Sequence, residues 1–338
     1  MDKALSRAQT WASQGLGLFY SLIAYKIYII SVLSFVAQLE EVPVRWEEHE
    51  GHILRTLIPG PFRWALPEDF RGLRRDFGFP VEAPDLRVVS QAARFRVAHR
   101  EAASRGGLGL RRWLGRLEAA WGSSEAIVRL GTWREWLNSS YVRILTDNLR
   151  ALAASGVTLV AVEERAAGGR PRPWSIQVTS QVTRLTQKMA HAMLKEQQQR
   201  FPVIRLRAKL ENLELSVFPR RAADRSVNFL QRLPGLVPPR VMAAVIRTYF
   251  GGWCTKSRFG ARGRCVFGCL EYPDSLSHYL ACPIASGFAT TRFRLPQTHD
   301  PRSRRAASLA LDSTAMTDAE VTRRALWMAV VYRLHCRY

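Results

Sequence analysis

Three of the chain's five cysteines and one of its seven histidines fall within eighteen positions of RCVFGCLEYPDSLSHYLACP, residues 264–283. The spacing is Cys265-x3-Cys269-x8-His278-x3-Cys282. Thiolate and imidazole are the donors zinc prefers. Two ligand pairs joined by a short loop can close a tetrahedron around it with little ordering of chain. Gly268, just before Cys269, permits the sharp backbone bend that a metal turn needs. Pro273-Asp274-Ser275 is set to open a helix, with Asp274 or Ser275 as its cap and Pro283 as its stop. His278 and Cys282 then lie one turn apart on one face. The competing reading is a chance meeting of small buried cysteines and a surface histidine. Cys254, eleven residues before Cys265, is a lesser candidate ligand, and Cys336 reads as packing on a helix face.

One ion held by three thiolates and a neutral imidazole has no position left for a substrate and carries a net formal charge of about −1, which fits a structural zinc and not a catalytic one. Lys256, Arg258, Arg262 and Arg264 would offset that charge. Trp253, Phe259, Phe267 and Tyr279 interleave with them. Cations among aromatics suit single-stranded nucleic acid, the bases stacking while Arg meets phosphate. Taken one at a time, the same aromatics read better as the small core around a metal.

The whole chain is basic. Its 338 residues carry a formal charge of +22 and a pI near 10.9, and only six of its 50 basic residues are Lys. Such an imbalance points to a polyanionic partner, here RNA or DNA bound largely without regard to sequence, and not to a small-molecule substrate. A GC-rich coding sequence would also enrich Arg, but the net charge still needs a counterpart. Beyond the cysteine region the candidate contacts are Arg94, Arg96, Arg100, Arg105, Arg111 and Arg112. An odd cysteine count without a disulfide-scaffold spacing or a secretory cleavage pattern suggests a reducing compartment, nuclear or cytoplasmic.

These residues need a scaffold, and the pattern predicts a mostly α fold. LGLFYSLIAYKIYIISVLSFVAQL, residues 16–39, is the most apolar stretch and long enough to span a bilayer. Lys26, three serines and three tyrosines inside it weigh toward a buried core helix and against a membrane span. Five prolines between 59 and 84 predict short helices and turns. Helical patterns then run over 90–105, 112–121, 125–137 and 139–155. GVTLVAVE, residues 156–163, is the one β-branched run and reads as a strand. AAGGRPRP follows as a linker, and a helix is expected over 178–199. An apolar helix from Pro239 should stop at Gly251-Gly252. Thr317 with Glu320 makes a capping box for a last helix whose inner face carries Val321, Ala325, Met328 and Tyr332. The expected organisation is a helical thumb-like body (1–165), a linker (166–175), a helical region (176–252), a Cys/His module (253–290), a flexible segment (291–316) and a C-terminal helix (317–338).

FGGWCTKSRFGARGRCVFGCLEYPDSLSHYLACP resembles the C-terminal cysteine/histidine region of reverse transcriptases from non-long-terminal-repeat (LINE-type) retrotransposons. Cys265, Cys269, His278 and Cys282 match the four ligand positions of that pattern, Asp274-Ser275 its acidic-hydroxyl pair, and Pro283 its closing proline. The family usually has four residues between His and the last Cys, and here there are three. The run at 15–43, with PGPFRWALPEDFRGLRRDFGFP after it, is similar to the helical thumb that follows the polymerase palm. The resemblance implies a thumb-plus-zinc-knuckle portion that binds nucleic acid. Polymerases of this type hold their metal ions with palm aspartates, one in a paired-Asp turn. No Asp-Asp occurs in the 338 residues. No catalytic residue is therefore assigned, and the chain as given is not expected to polymerise. Two other readings stay open: a structural or protein-interaction zinc module, and a protein anchored in a membrane through residues 16–39.

Overall fold

The computed structural model describes residues 2–37, 42–90, 92–93, 159–162, 175–178, 191, 201–269 and 272–337. Arg94, Arg96, Arg100, Arg105, Arg111 and Arg112 lie outside these, as do the helices expected over 112–121, 125–137 and 139–155 and nearly all of that over 178–199. The protein is mostly α-helical. It divides into two compact units, one built from Met1–Ser31, Val44–Pro84 and Arg200–Tyr338, the other from Val32–Pro43 and Asp85–Gln199. The sequence boundaries at 165, 175 and 252 fall inside these units and not between them.

In the first unit, helices α1 (Asp2–Ala12) and α2 (Gly17–Ala24) lead into a π-helical turn (Tyr25–Ile30). Leu18, Leu22, Tyr25, Ile29 and Ile30 are buried, while Tyr20, Ile27 and Tyr28 face solvent. Lys26 is also exposed, so its charge never enters the core. The Tyr25 hydroxyl donates to Glu50 at 2.7 Å, and Arg71 pairs with the same buried carboxylate, so no charge is left uncompensated there. Gly17–Val36 is long and apolar enough to cross a membrane, with 33% of the stretch buried. The expected core helix is therefore only partly a core helix.

Helices α3 (Ser31–Val36) and α4 (Trp46–Leu57) come before the proline-punctuated region, which forms α5 (Pro67–Phe77). Proline opens α5, Asp69 accepts the Leu66 N–H at 2.7 Å, and Gly78 ends the helix at φ 69°. Helices α6 (Phe201–Glu211), α7 (Pro219–Arg232) and α8 (Pro239–Tyr249) follow, α8 starting and stopping where the sequence predicts. It packs on the last helix, α12 (Asp318–His335). There the Thr317 hydroxyl accepts the Glu320 N–H at 3.3 Å and Glu320 accepts the Thr317 N–H at 2.7 Å, the predicted capping box. Val321, Ala325 and Met328 are buried as expected.

Between α8 and α12 lie a 3-10 turn (Lys256–Phe259) and three short helices: α9 (Leu276–Tyr279), α10 (Pro283–Phe293) and α11 (Pro301–Ser308). The segment expected to be flexible, 291–316, is largely built into the fold. Asp300 caps α11 by accepting the Ser303 N–H at 2.8 Å, and Leu309, Ala310 and Leu311 are fully buried. Arg324 fixes the segment further, bonding the Ala307 carbonyl at 2.7 Å and Asp312 at 2.5 and 3.0 Å.

In the second unit the predicted strand appears as β1 (Leu159–Val162), paired antiparallel with β2 (Ser175–Val178) so that Leu159 faces Val178. The linker expected over 166–175 lies outside the described residues except for Ser175, which belongs to β2.

Candidate metal centre

Residues 263–269 and 272–274 run back alongside each other. Asp274 donates its N–H to the Gly263 carbonyl at 2.9 Å, and Cys265 donates to Tyr272 at 3.3 Å. Near the tip, the Gly268 N–H reaches the Cys265 carbonyl at 3.2 Å with Gly268 at φ 85°, the left-handed bend expected of it. A Cβ there would meet nothing within 4 Å, so the backbone angle alone demands glycine.

The return limb carries the other ligands. Ser275 caps α9, its hydroxyl accepting the His278 N–H at 3.2 Å. This helix ends at Tyr279, one residue after His278. Cys282 is therefore not on the same helix, contrary to the sequence reading. It is the N-cap of α10, and Pro283 opens that helix instead of closing α9, because proline lacks the N–H that a first-turn position does not need.

Despite that difference the side chains converge. The ligand atoms of Cys265, His278 and Cys282 all lie within 4.8 Å of one another. The two sulfurs are 3.8 Å apart. Zinc–sulfur bonds of about 2.3 Å at a tetrahedral angle require a sulfur–sulfur edge of about 3.8 Å, so the pair has the span such an ion needs. His278 Nε2 is buried and has no hydrogen-bond partner. An unpartnered buried nitrogen is costly, and a metal is one of the few things that would satisfy it. Tyr272 stacks on the imidazole at 4.9 Å and fixes its plane.

The electrostatics at the ligands act in both directions. Burial pushes the Cys282 thiol up to about 12, the adjacent Cys265 adding to the effect, while N–H groups of Ala285 and Ile284 work against it. Those helix N–H donors would support a metal-bound thiolate. Burial lowers the His278 pKa, which favours the neutral ring that ligates. A cleft of about 260 Å³ is lined in part by Tyr272, Ser277 and His278.

Cys269 is buried, yet its sulfur falls outside the three-membered group. Cys254 and Cys336 are both exposed free thiols; Cys336, expected to pack on a helix face, sits at the end of α12 with its thiol beside Tyr332.

Comparison with protein-family models, with curated proteins and with solved structures finds no match. The site is therefore described by its own geometry.

Beneath the ligands lies a buried polar hub that the sequence did not reveal. Asp274 does not cap α9. It is 3% exposed and accepts the Tyr279 hydroxyl at 2.7 Å, the Lys256 N–H at 3.0 Å and a bond from His335 Nε2 at 3.3 Å. The Tyr279 oxygen in turn accepts the Val266 N–H at 3.3 Å. Trp253 stacks on Tyr279 at 5.7 Å and lies 5.2 Å from the His335 ring. His335 ends α12, so this hub ties the C-terminal helix to the cysteine hairpin. The acidic residue of the Asp274-Ser275 pair is thus a fastening, and the hydroxyl residue is the cap.

Of the expected nucleic-acid contacts, Lys256, Arg258, Arg262 and Arg264 are all exposed. Arg258 is partly committed: it donates to the Gly251 carbonyl at 2.6 Å and to the Phe62 carbonyl at 3.2 Å. Trp253 and Tyr279 are core, Phe267 sits edge-on to Tyr279, and Phe259 is 62% exposed.

Proposed function

We propose that this chain is a nucleic-acid-binding C-terminal portion of a retroelement reverse transcriptase, without polymerase activity of its own, in which a structural zinc ion holds the cysteine hairpin. Cys265, His278 and Cys282 ligate it, and Cys269, four residues from Cys265 and buried, is the candidate for the fourth position. The zinc would supply cross-linking and charge, with no open position for substrate. The observation that carries the reading is the 3.8 Å sulfur pair beside an unpartnered His278 Nε2, on a hairpin whose outer residues Arg262 and Arg264 are exposed cations.

RNA or DNA would meet Lys256, Arg258, Arg262 and Arg264 chiefly through phosphate, so affinity should fall steeply with salt. Fluorescence anisotropy of labelled single-stranded RNA and DNA at rising salt tests this. The Lys256→Ala/Arg262→Ala/Arg264→Ala variant should bind both more weakly. Unchanged affinity in that variant, or an affinity flat in salt, would instead favour a zinc module that binds protein.

A further inference from the structure

A second cationic site lies on the loop between α4 and α5, where five basic side chains meet. Arg205 and Lys209, one turn apart on α6, both donate to the Arg63 carbonyl, at 3.3 and 3.4 Å. Arg258 donates to the neighbouring Phe62 carbonyl and Arg247 to that of Pro59 at 3.0 Å. The Arg247 guanidinium sits 4.6 Å above the Trp64 ring, and Arg63 lies 5.0 Å over Phe62. Gly60 lets the loop approach so closely: a Cβ there would come within 2.6 Å of Trp64 and 3.3 Å of Arg247.

The charges are not balanced. Arg205 pairs with Asp69 and also feels the charge of Glu68, but among the described residues none of Arg63, Lys209, Arg247 and Arg258 pairs with a carboxylate. Backbone carbonyls orient these cations without neutralising them. Burial, then the proximity of Arg258 and Arg205, lowers the Lys209 pKa to about 8. Like charges thus face one another, an arrangement that an added anion would relieve. Two large rings flank it in solvent, Phe62 at 69% and Phe259 at 62% exposure, the latter next in sequence to Arg258.

We propose that this cluster binds single-stranded nucleic acid, with phosphates on Arg205, Lys209 and Arg258 and a base stacked on Phe62. The proposal rests on the nucleic-acid reading above and locates it on residues outside the hairpin. A guanidinium that spends one or two N–H groups on a carbonyl keeps others for phosphate, and its prior fixation lowers the entropy lost on binding. Exposed rings beside cations favour a single strand over a duplex, since only splayed bases can stack on them. The alternative is that the cations merely clamp the loop to α6 and α8.

The full-length chain is titrated with labelled oligo(dT) and oligo(U), as wild type, Phe62→Leu, Lys209→Gln and the hairpin triple variant. Phe62→Leu should weaken binding about five-fold or more with no change in salt dependence. Lys209→Gln should weaken it and reduce the log–log salt slope by about 0.7, one phosphate contact on a single strand. Lys209→Gln should also leave the thermal midpoint equal or raised, because it removes a repelled charge, whereas a clamp would lose stability. Wild-type affinity in both Phe62→Leu and Lys209→Gln, with loss in the hairpin variant, would overturn this site and leave the broader reading intact. A wild-type chain that binds neither oligonucleotide would overturn both.

Discussion

Replacing Asp274 by Asn should destabilise the protein by about 2–4 kcal/mol, although the two side chains have nearly the same shape. One carboxylate oxygen accepts from the Tyr279 hydroxyl and His335 Nε2, the other from the Lys256 N–H. An amide has one oxygen and one NH2, so one side of the hub must face donor to donor. If the NH2 points at Lys256, the backbone bond is lost. If it points at Tyr279, that hydroxyl loses its acceptor while its oxygen already receives the Val266 N–H. Turning His335 to accept at Nε2 would put a proton on Nδ1, which is buried without a partner. Each orientation forfeits one or two buried bonds to a charged group, worth about 1.5–3 kcal/mol apiece. Urea unfolding followed by tryptophan emission, with Trp253 beside His335 as reporter, measures the change. Lys256→Ala is the control, since only its backbone takes part, and it should change stability by less than about 0.5 kcal/mol. A loss below about 1 kcal/mol in Asp274→Asn would show that the hub does not fasten α12 to the hairpin.

Gly268→Ala meets no atom within 4 Å, so its cost should be the left-handed backbone alone, about 1–2 kcal/mol, read from urea unfolding of the zinc-loaded protein. Arg324→Ala strips the partner from Asp312 and the Ala307 carbonyl at a buried site and should cost about 3–5 kcal/mol; Arg324→Lys should recover only part, because an ammonium cannot reproduce the fork. Lys209 titrates at about 8 in the folded chain against an ordinary 10.5, so the unfolded chain binds more protons between those values. Its contribution to stability is then present above 10.5 and lost as pH falls toward 8. The thermal midpoint of wild type minus that of Lys209→Gln should rise across this window, and a fall would contradict the assignment.

Local chemistry was legible and long-range chemistry was not. The Thr317 capping box, the Pro239 start and Gly251-Gly252 stop of α8, the Gly268 bend and the strand at 159–162 each depend on a few neighbouring residues, and each is where the pattern placed it. The cysteine spacing brought three of its four ligands together for the same reason. Pro283 was misread because proline ends one helix and opens the next with equal ease. Segment 291–316 looked loose because α11 is rich in arginine, yet Arg305 is buried against the Glu214 carbonyl, a partner 91 residues away. Asp274 reads locally as a cap, but its partner His335 lies 61 residues on, beyond the reach of a local pattern. The cationic loop was invisible likewise: Arg205 and Lys209 lie about 140 residues from the carbonyl they share.

Zinc content measured on the purified wild-type chain and on Cys282→Ser, with Cys254→Ser as a control, bears most directly on the metal centre. The 3.8 Å sulfur pair and the unpartnered His278 nitrogen lead to one zinc per chain in the wild type and in Cys254→Ser, and its loss in Cys282→Ser. Equal zinc in all three proteins would contradict the ligand assignment.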